Sequence, residues 1–155
     1  MSNRIRLLGE GEAIPLALLL LADPSEEEVM RYAGAARIFV CERDGELVGA
    51  CALSGVGQSV CEIKNIAVAG PFQGMGIGAL LLRHVIAFAR DAGFARVQIA
   101  TGNSSIGQLY LYQKVGFEMQ EIDRDYFVRT YPDAIFENGI RCRHRVLLAM
   151  EFEGE

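Results

Sequence analysis

The chain has few of the residues from which metal sites and nucleic-acid surfaces are usually built. Its 155 residues include two histidines and four cysteines, and no two cysteines form a Cys-x-x-Cys pair. A zinc site needs several such ligands at close spacing, so the sequence gives a metal little support. Lys and Arg number 15 against 20 Asp and Glu, for a net charge of −5. Because nucleic-acid-binding domains are usually basic, this negative charge disfavours a nucleic-acid partner. We therefore expect neither a bound metal nor a bound nucleic acid.

Long apolar segments are also absent. The apolar run at residues 14–22 is far shorter than the roughly 20 residues that a membrane helix needs. Charged residues interrupt residues 1–13, which is not typical of a signal peptide. Three of the four cysteines fall within strand-like apolar runs, as is usual for reduced and buried thiols. We therefore expect a cytoplasmic protein without a membrane partner.

The chain does have enough apolar residues, 51%, to build a packed core. No repeat, low-complexity tract or Pro- and Ser-rich linker divides it, so residues 1–155 are predicted to form a single domain. Apolar spacing and turn residues predict an α/β protein with a mixed sheet and helices on both faces. The predicted strands are 4–8, 37–43, 46–55, 59–70, 94–101, 117–128 and 141–152; the predicted helices are 14–22, one that follows Ser25, one that ends at Gly93, and 103–116; residues 129–140 form a loop.

Two local signals predict where elements begin and turn. Asp44-Gly45 lies between two strand-like runs, which is a strong hairpin signal. Ser25 has a glutamate three residues later, Glu28, which is typical of a helix N-terminus.

Two strands are expected to present rows of side chains, because alternate residues of a strand point to the same face. The acidic row of strand 117–128 favours a solvated face, and its sharper interpretation is a patch that attracts a cationic amine. The rows are Val60, Glu62, Lys64, Ile66 and Val68 in the predicted strand 59–70, and Glu121, Asp123 and Asp125 in the predicted strand 117–128.

A glycine-rich loop predicts an anion site. Gly70, Gly74, Gly76 and Gly78 stand directly before or within the start of a helix whose apolar stripe begins at Ile77. Glycine lets the backbone approach a ligand closely, and a helix N-terminus favours an anion, so a phosphate is expected. The P-loop pattern is not met, because no Lys-Ser or Lys-Thr pair follows these glycines. The dinucleotide pattern Gly-x-Gly-x-x-Ala is met, but the next strand lacks the acid that binds a ribose, which disfavours a nicotinamide-dependent oxidoreductase.

Three segments in order, EIKNIAV, QGMGIG and LYQKVGF, make the chain resemble the GNAT superfamily of N-acetyltransferases. The strong match covers about residues 60–117. The resemblance implies the GNAT fold, which is a single mixed and mostly antiparallel central sheet flanked by helices on both faces. The positions that match the two glycine-containing motifs are Gln73, Gly76, Gly78, Leu111, Tyr112, Lys114, Gly116 and Phe117.

The resemblance also implies acetyl-CoA as cosubstrate, with the CoA pyrophosphate on the glycine loop. The pantetheine arm would lie where the preceding strand diverges from its neighbour, and an N–H near Val68 would polarise the thioester carbonyl. Many members carry an asparagine seven residues before the motif tyrosine. Here that position is Ser105, and Asn103 lies two residues earlier. The resemblance implies that Asn103 or Ser105 contacts CoA, and the alternative is that both cap the helix. The implied cofactor-binding residues are Ile66, Ala67, Val68, Gln73, Gly74, Met75, Gly76, Ile77, Gly78, Ala79, Asn103, Ser105 and Tyr110, the last with packing as its alternative.

The implied reaction is direct attack of a primary amine, on a small molecule or a peptide, at the thioester. An amine with a pKa near ~10.4 is mostly protonated at neutral pH, so a base that accepts its proton helps. Glu62 matches the base of some members, and the alternative is a glutamate that pairs with Lys64 or is solvated. Tyr112 matches the acid that protonates the CoA thiolate, and the alternative is a packing aromatic. The alternative function is a CoA-binding module without turnover, and residues 129–140 either cover the acceptor site or build a homodimer contact.

Overall fold

The computed structural model describes residues 2–153. No helix in that part of the chain is long and apolar enough to cross a membrane. Its strands are β1 (Asn3–Leu7), β2 (Arg37–Arg43), β3 (Glu46–Gly57), β4 (Val60–Val68), β5 (Arg96–Gly102), β6 (Glu118–Asp123), β7 (Ile135–Glu137), β8 (Ile140–Cys142) and β9 (Arg145–Glu151). Its helices are α1 (Leu16–Ala22), α2 (Glu26–Ala33), α3 (Ile77–Asp91), α4 (Ile106–Val115) and α5 (Tyr126–Thr130).

Seven strands form one sheet in the order β1-β2-β3-β4-β5-β9-β6, and β7 and β8 form a separate hairpin. The β4–β5 pair is parallel and the other pairs of the sheet are antiparallel. Helices cover both faces. One apolar layer, with Leu81 and Tyr112, lies under α3 and α4, and the other, with Leu19 and Val29, lies under α1 and α2. The predicted fold class is therefore confirmed.

The local turn and cap signals also hold. Ser25 caps α2, because its hydroxyl accepts the Glu28 N–H at 3.2 Å. Asp44 and Gly45 have φ angles of 53° and 80°, as a tight two-residue hairpin turn requires. All four cysteines are buried and free.

The predicted row on strand 59–70 is broken by a β-bulge at Lys64. Ala52 pairs with Asn65 and Leu53 pairs with Ile63, so Lys64 is an extra residue in β4. One extra residue reverses the alternation of side chains beyond it. Ile66 therefore packs in the same layer as Ile63, while the Asn65 amide turns to the opposite face and donates to the Leu19 carbonyl at 2.8 Å. Glu62 and Lys64 share a face, and Ile66 and Val68 do not join them.

The C-terminal third differs most from its prediction. The strand expected over 117–128 ends at Asp123, because Asp125 takes a left-handed conformation (φ 57°) and α5 follows. Asp125 is thus no part of an acidic row on one strand, and its carboxylate pairs with Arg143 at 2.7 Å. The predicted row of Glu121, Asp123 and Asp125 on one strand is therefore wrong for Asp125, whereas Glu121 and Asp123 are exposed on β6, as a solvated face requires. Asp123 is also paired, with Arg129 at 2.9 Å.

Residues 129–140, expected as a loop, contain the end of α5 and most of the β7–β8 hairpin. Asn138-Gly139 forms its turn, with φ angles of 55° and 74°. The expected strand 141–152 is accordingly two strands, β8 and β9. The hairpin is attached to the start of α4, since the Glu137 carboxylate accepts the Ser104 and Ser105 hydroxyls at 3.0 and 2.8 Å. This attachment brings the C-terminal segment against the centre of the sheet.

Gly102, at the end of β5, is the point where this attachment is tightest. A Cβ atom at this position would collide with the Cys142 sulfur and touch Phe127 at 3.5 Å. We predict that Gly102→Ala lowers the free energy of unfolding by about 1–3 kcal/mol, as overpacking does in cores. Urea denaturation measures it. Gly107→Ala, on the exposed side of α4 with open space around it, is the matched control and should leave stability unchanged or slightly higher. Equal stability of the two variants would contradict tight packing at Gly102.

Candidate active site

The candidate site begins where β4 and β5 separate. The two strands pair from Val60–Arg96 to Ile63–Ile99 and no further. Beyond that point β4 stays paired with β3, and β5 stays paired with β9. The sheet therefore opens into a V-shaped gap, into which Tyr112 of α4 projects between the two strand ends.

The backbone of β4 presents polar groups to this gap. The Ala69 N–H donates to the Val48 carbonyl at 2.8 Å, which makes the facing pair Val68–Gly49 a non-hydrogen-bonded one. The N–H and C=O of Val68 therefore point away from β3, and by the same alternation those of Ile66 do so too. The backbone groups of Ala67 are directed to β3 instead. Of the three β4 residues named from the sequence, Ile66 has its N–H and C=O directed to the gap, and Val68 has its N–H there, because the Val68 carbonyl accepts the Gln73 amide at 3.0 Å.

The glycine loop follows β4 directly. Gly74 and Gly76 have φ angles of 80° and 82°, which residues with a side chain rarely adopt. Gly76 precedes α3 without a side-chain cap, so the first N–H groups of the helix are open to an anion. The loop is fixed to the strand by Gln73, whose amide donates to the Val68 carbonyl at 3.0 Å. A side chain at position 78 would press on Leu111 of α4, since a Cβ atom there lies 3.3 Å from it.

Four neighbouring cavities connect this loop to Glu62, and we call them together the groove. The first, of about 270 Å³, lies at the glycine loop, and the second, of about 220 Å³, shares Gly78 with it. The third, of about 210 Å³, shares Tyr112 with the second. The fourth and largest, of about 570 Å³, shares Lys64 with the third and is lined by Glu62. The groove therefore extends from the glycine loop, past Tyr112, to the Glu62 carboxylate.

Glu62 is a buried carboxylate with several polar partners. It accepts a hydrogen bond from the Gln98 amide at 2.6 Å and pairs with Lys64 at 3.1 Å. The Arg145 guanidinium lies 3.8 Å away. The side chain is about 10% exposed, and that exposure is to the largest cavity of the groove. The ion pair with Lys64 is present, and it leaves the carboxylate facing the cavity.

Tyr112 lies at the centre of the groove. Only 4% of the residue is exposed, and its ring packs edge-on against Phe117 with 6.2 Å between centroids. Its hydroxyl has no hydrogen-bond partner among the residues that the structure describes, and it borders the second and third cavities. Burial raises the pKa of this hydroxyl above its usual range, so it holds its proton at neutral pH. The ring is packed as the alternative interpretation expects, but its polar end faces the groove.

The acetyltransferase (GNAT) family profile matches residues 16–117, which include β4, the glycine loop and α4. The chain belongs to the GNAT family of acetyltransferases. It is similar to an uncharacterized N-acetyltransferase of Bacillus subtilis, YvbK, with 44% identity over 134 residues, or 86% of each chain. These findings make it an N-acetyltransferase by family.

Two solved structures are similar to this acetyltransferase over nearly their whole length. One is a GNAT family acetyltransferase from Elizabethkingia anophelis with acetyl-CoA bound, at 43% identity, a TM-score of 0.92, and coverage of 97% of this chain and 98% of that chain. The other is a Bacillus subtilis acetyltransferase in complex with CoA, at 42% identity, a TM-score of 0.93, and coverage of 98% and 100%.

Three residues predicted for the cofactor of this acetyltransferase line none of the four cavities, namely Met75, Asn103 and Tyr110. The Asn103 oxygen accepts the Arg143 and His144 N–H groups at 2.7 and 2.8 Å, and its amide donates to the Arg141 carbonyl at 3.2 Å. That side chain joins two segments of the protein and neither caps α4 nor lines the groove. Tyr110 is 64% exposed on α4, lines none of the four cavities and is not packed in the core.

Ser105 borders the third cavity, but its hydroxyl donates to Glu137, and it makes no side-chain cap bond.

Several side chains that line the largest cavity were not predicted as site residues from the sequence. Arg145 and the aromatic residues of α5, Tyr126 and Phe127, line it, although they come from the segment expected to be strand and loop. The loop end of the groove has a further cation that was missed, Arg43, whose guanidinium lies 5.7 Å from the Phe72 ring centroid and 3.9 Å from the Met75 sulfur. No sequence spacing relates these residues to the motifs, because they approach only through the tertiary fold.

The raised pKa of Tyr112 predicts a pH dependence of stability. The folded protein holds this proton more tightly than the unfolded chain, whose tyrosine pKa is about 10. The contribution to stability is therefore complete below pH ~10 and is lost as the pH rises above that value. We predict that the free energy of unfolding of the native protein falls more steeply above pH ~10 than that of Tyr112→Phe, as urea titrations at several pH values would measure. Parallel curves would contradict burial of this hydroxyl.

Proposed function

We propose that this enzyme transfers the acetyl group of acetyl-CoA to a primary amine by direct attack, with Glu62 as base and Tyr112 as acid. The observation that carries the proposal is the series of four adjoining cavities from the glycine loop, past Tyr112, to the Glu62 carboxylate, in which each cavity shares lining residues with the next. Such a groove has a donor end at the glycine loop and an acceptor end at Glu62. Molecules bound at the two ends would meet at the gap between β4 and β5. The whole chain, residues 1–155, acts in this proposal as one catalytic domain.

The donor end suits CoA by its chemistry. The open N–H groups between Gln73 and Ala79 bind the pyrophosphate, because they are directed to the positive end of α3. The N–H and C=O of Ile66 pair with the amides of the pantetheine arm in the gap. The Val68 N–H then donates to the thioester oxygen, where negative charge develops during attack.

At the acceptor end, the amine nitrogen attacks the thioester carbon and forms the C–N bond. Glu62 accepts the proton that the amine loses, directly or through water. Its exposure to the largest cavity supports this role, and its bonds to Gln98 and Lys64 hold it in place. The C–S bond breaks, and the CoA thiolate takes the Tyr112 proton to leave as a thiol. The raised pKa of Tyr112 suits an acid that must keep its proton until the thiolate forms.

We predict that Tyr112→Phe lowers kcat by about 100-fold, the effect typical of losing a general acid, while the Kd for CoA stays the same. Thiol release with acetyl-CoA and a panel of amines measures kcat, and isothermal titration measures CoA binding. Tyr110→Phe is the matched control, since it removes the same hydroxyl from an exposed position of the same helix.

Unchanged kcat in Tyr112→Phe would assign this tyrosine to packing. CoA binding without thiol release for any amine would replace the proposed function by a CoA-binding module. Absence of CoA binding would contradict the donor end of the groove.

We predict that Glu62→Gln lowers turnover most at low pH, where few acceptor amines are neutral. Since such amines have a pKa near ~10.4, the rate of the variant should keep rising with pH after that of the native enzyme has levelled off. The pH profile of kcat/KM measures this difference. Glu151→Gln is the control, because Glu151 is also a strand glutamate paired with a cation, Arg96 at 2.7 Å, but lies outside the groove. A Glu62→Gln profile of native shape and height would show that Glu62 is not the base.

A further inference from the structure

The largest cavity of the groove holds six ionic side chains, three acidic and three basic. Five of them are satisfied within the protein. The pairs are Glu28 with Arg31 and Glu62 with Lys64, and Asp23 accepts the Ser25 N–H at 3.2 Å and the Tyr32 hydroxyl at 3.3 Å. The sixth is Arg145.

Arg145 is partly buried, and its guanidinium makes no hydrogen bond to a carboxylate, although it also borders a smaller cavity with Glu121 and with Asp123, which is paired with Arg129. The Arg145 side chain is 31% exposed, and its nearest carboxylate oxygen, on Glu62, is 3.8 Å away. The guanidinium carbon lies 5.7 Å from the Tyr126 ring centroid, and within residues 2–153 the guanidinium makes no hydrogen bond. The nearby Arg143 differs, since it is paired with Asp125 at 2.7 Å. A guanidinium held this way presents a planar set of donors that matches a carboxylate.

We infer that the acceptor is an amine that carries a carboxylate close to the amine, and that Arg145 binds this carboxylate. The inference rests on the proposed function, because it takes Glu62 to be the group that receives the amine proton. Glu62 and Arg145 are neighbours, so an amine bound beside Glu62 and a carboxylate bound to Arg145 must lie close together in the same molecule. An α-amino acid has this arrangement.

The charges near Glu62 support a carboxylate on the acceptor. The cavity as a whole has three charged side chains of each sign, but the local excess at Glu62 is positive, because Lys64 and Arg145 both lie within 4 Å of its carboxylate. A polyamine would add cations beside them without compensation. An amine with its own carboxylate neutralises the excess cation, and it satisfies the guanidinium that the protein leaves without a hydrogen bond.

The remaining wall of the cavity indicates an apolar side group. Tyr126, Phe127 and Tyr131 line it, and the last two rings stack with 5.8 Å between centroids. Aromatic faces favour contact with flat or apolar groups. The simplest acceptor with all three properties is an apolar α-amino acid, for which L-phenylalanine is a suitable probe.

The test compares L-phenylalanine with L-phenylalaninamide, which keeps the amine and the ring but loses the negative charge. We expect kcat/KM of the native enzyme to be about 10- to 100-fold higher for the acid, the range that a charged hydrogen bond supplies. Arg145→Gln should lose this preference through a raised KM for the acid and leave the amide unaffected. Arg145→Lys keeps the positive charge but loses the planar set of donors, so it should retain part of the preference for L-phenylalanine over the amide. Arg96→Gln removes a strand arginine outside the groove and should change neither substrate.

Equal use of the two substrates, or preference for the amide, would overturn the carboxylate site and leave the acetyltransferase function standing. If no amine is acetylated, the proposed function fails, and titration of L-phenylalanine into the CoA-loaded protein decides the site. Binding of L-phenylalanine that Arg145→Gln abolishes would support the carboxylate site. Absent binding, or equal binding by the native and Arg145→Gln proteins, would overturn it.

Discussion

The short parallel pairing of β4 with β5 is the constraint on which the rest of this acetyltransferase depends. Four residue pairs join two half-sheets, and beyond Ile63 and Ile99 each strand follows its other neighbour. The gap this creates exposes backbone groups that a continuous sheet would have paired, and buried backbone groups need partners. A pantetheine arm with its own amides suits that need. The divergence that weakens the sheet is thus the same feature that makes a binding groove.

The bulge at Lys64 determines which chemistry lies on each side of this gap. Without it, Glu62, Lys64, Ile66 and Val68 would share one face, and the carboxylate would lie on the same face as apolar side chains. The extra residue keeps Glu62 and Lys64 on the face of α1 and α2, whereas Ile66 and Val68 pack toward α3. Strand β4 therefore presents a carboxylate to one side and an apolar support for the glycine loop to the other. In the proposed mechanism, this single extra residue separates acceptor chemistry from donor binding.

Local signals in the sequence were sufficient for much of the donor side. The Ser25 cap, the Asp44-Gly45 turn and the left-handed Gly74 and Gly76 each act within a few residues, so their patterns predicted the observed conformations. The errors fell where the result depends on distant segments. Asn103 looked like a helix cap, but two N–H groups 40 and 41 residues later occupy its oxygen. The Asn138-Gly139 turn was missed because its flanking strands have three residues each, too few to show an alternating pattern.

This division between local and distant determinants explains why the donor could be inferred and the acceptor could not. The donor groove is formed largely by one continuous stretch, from β4 to α4, whose spacing the family motifs record. The largest cavity, which is the proposed acceptor site, takes side chains from α2, β4, α5 and β9, which lie more than 100 residues apart at the extremes, as Glu28 and Arg145 do. In this proposal, substitutions in α5 or at Arg145 alter the choice of acceptor without disturbing the loop or Tyr112. The fold therefore permits acceptor specificity to change independently of CoA binding, because the two are built from separate parts of the chain.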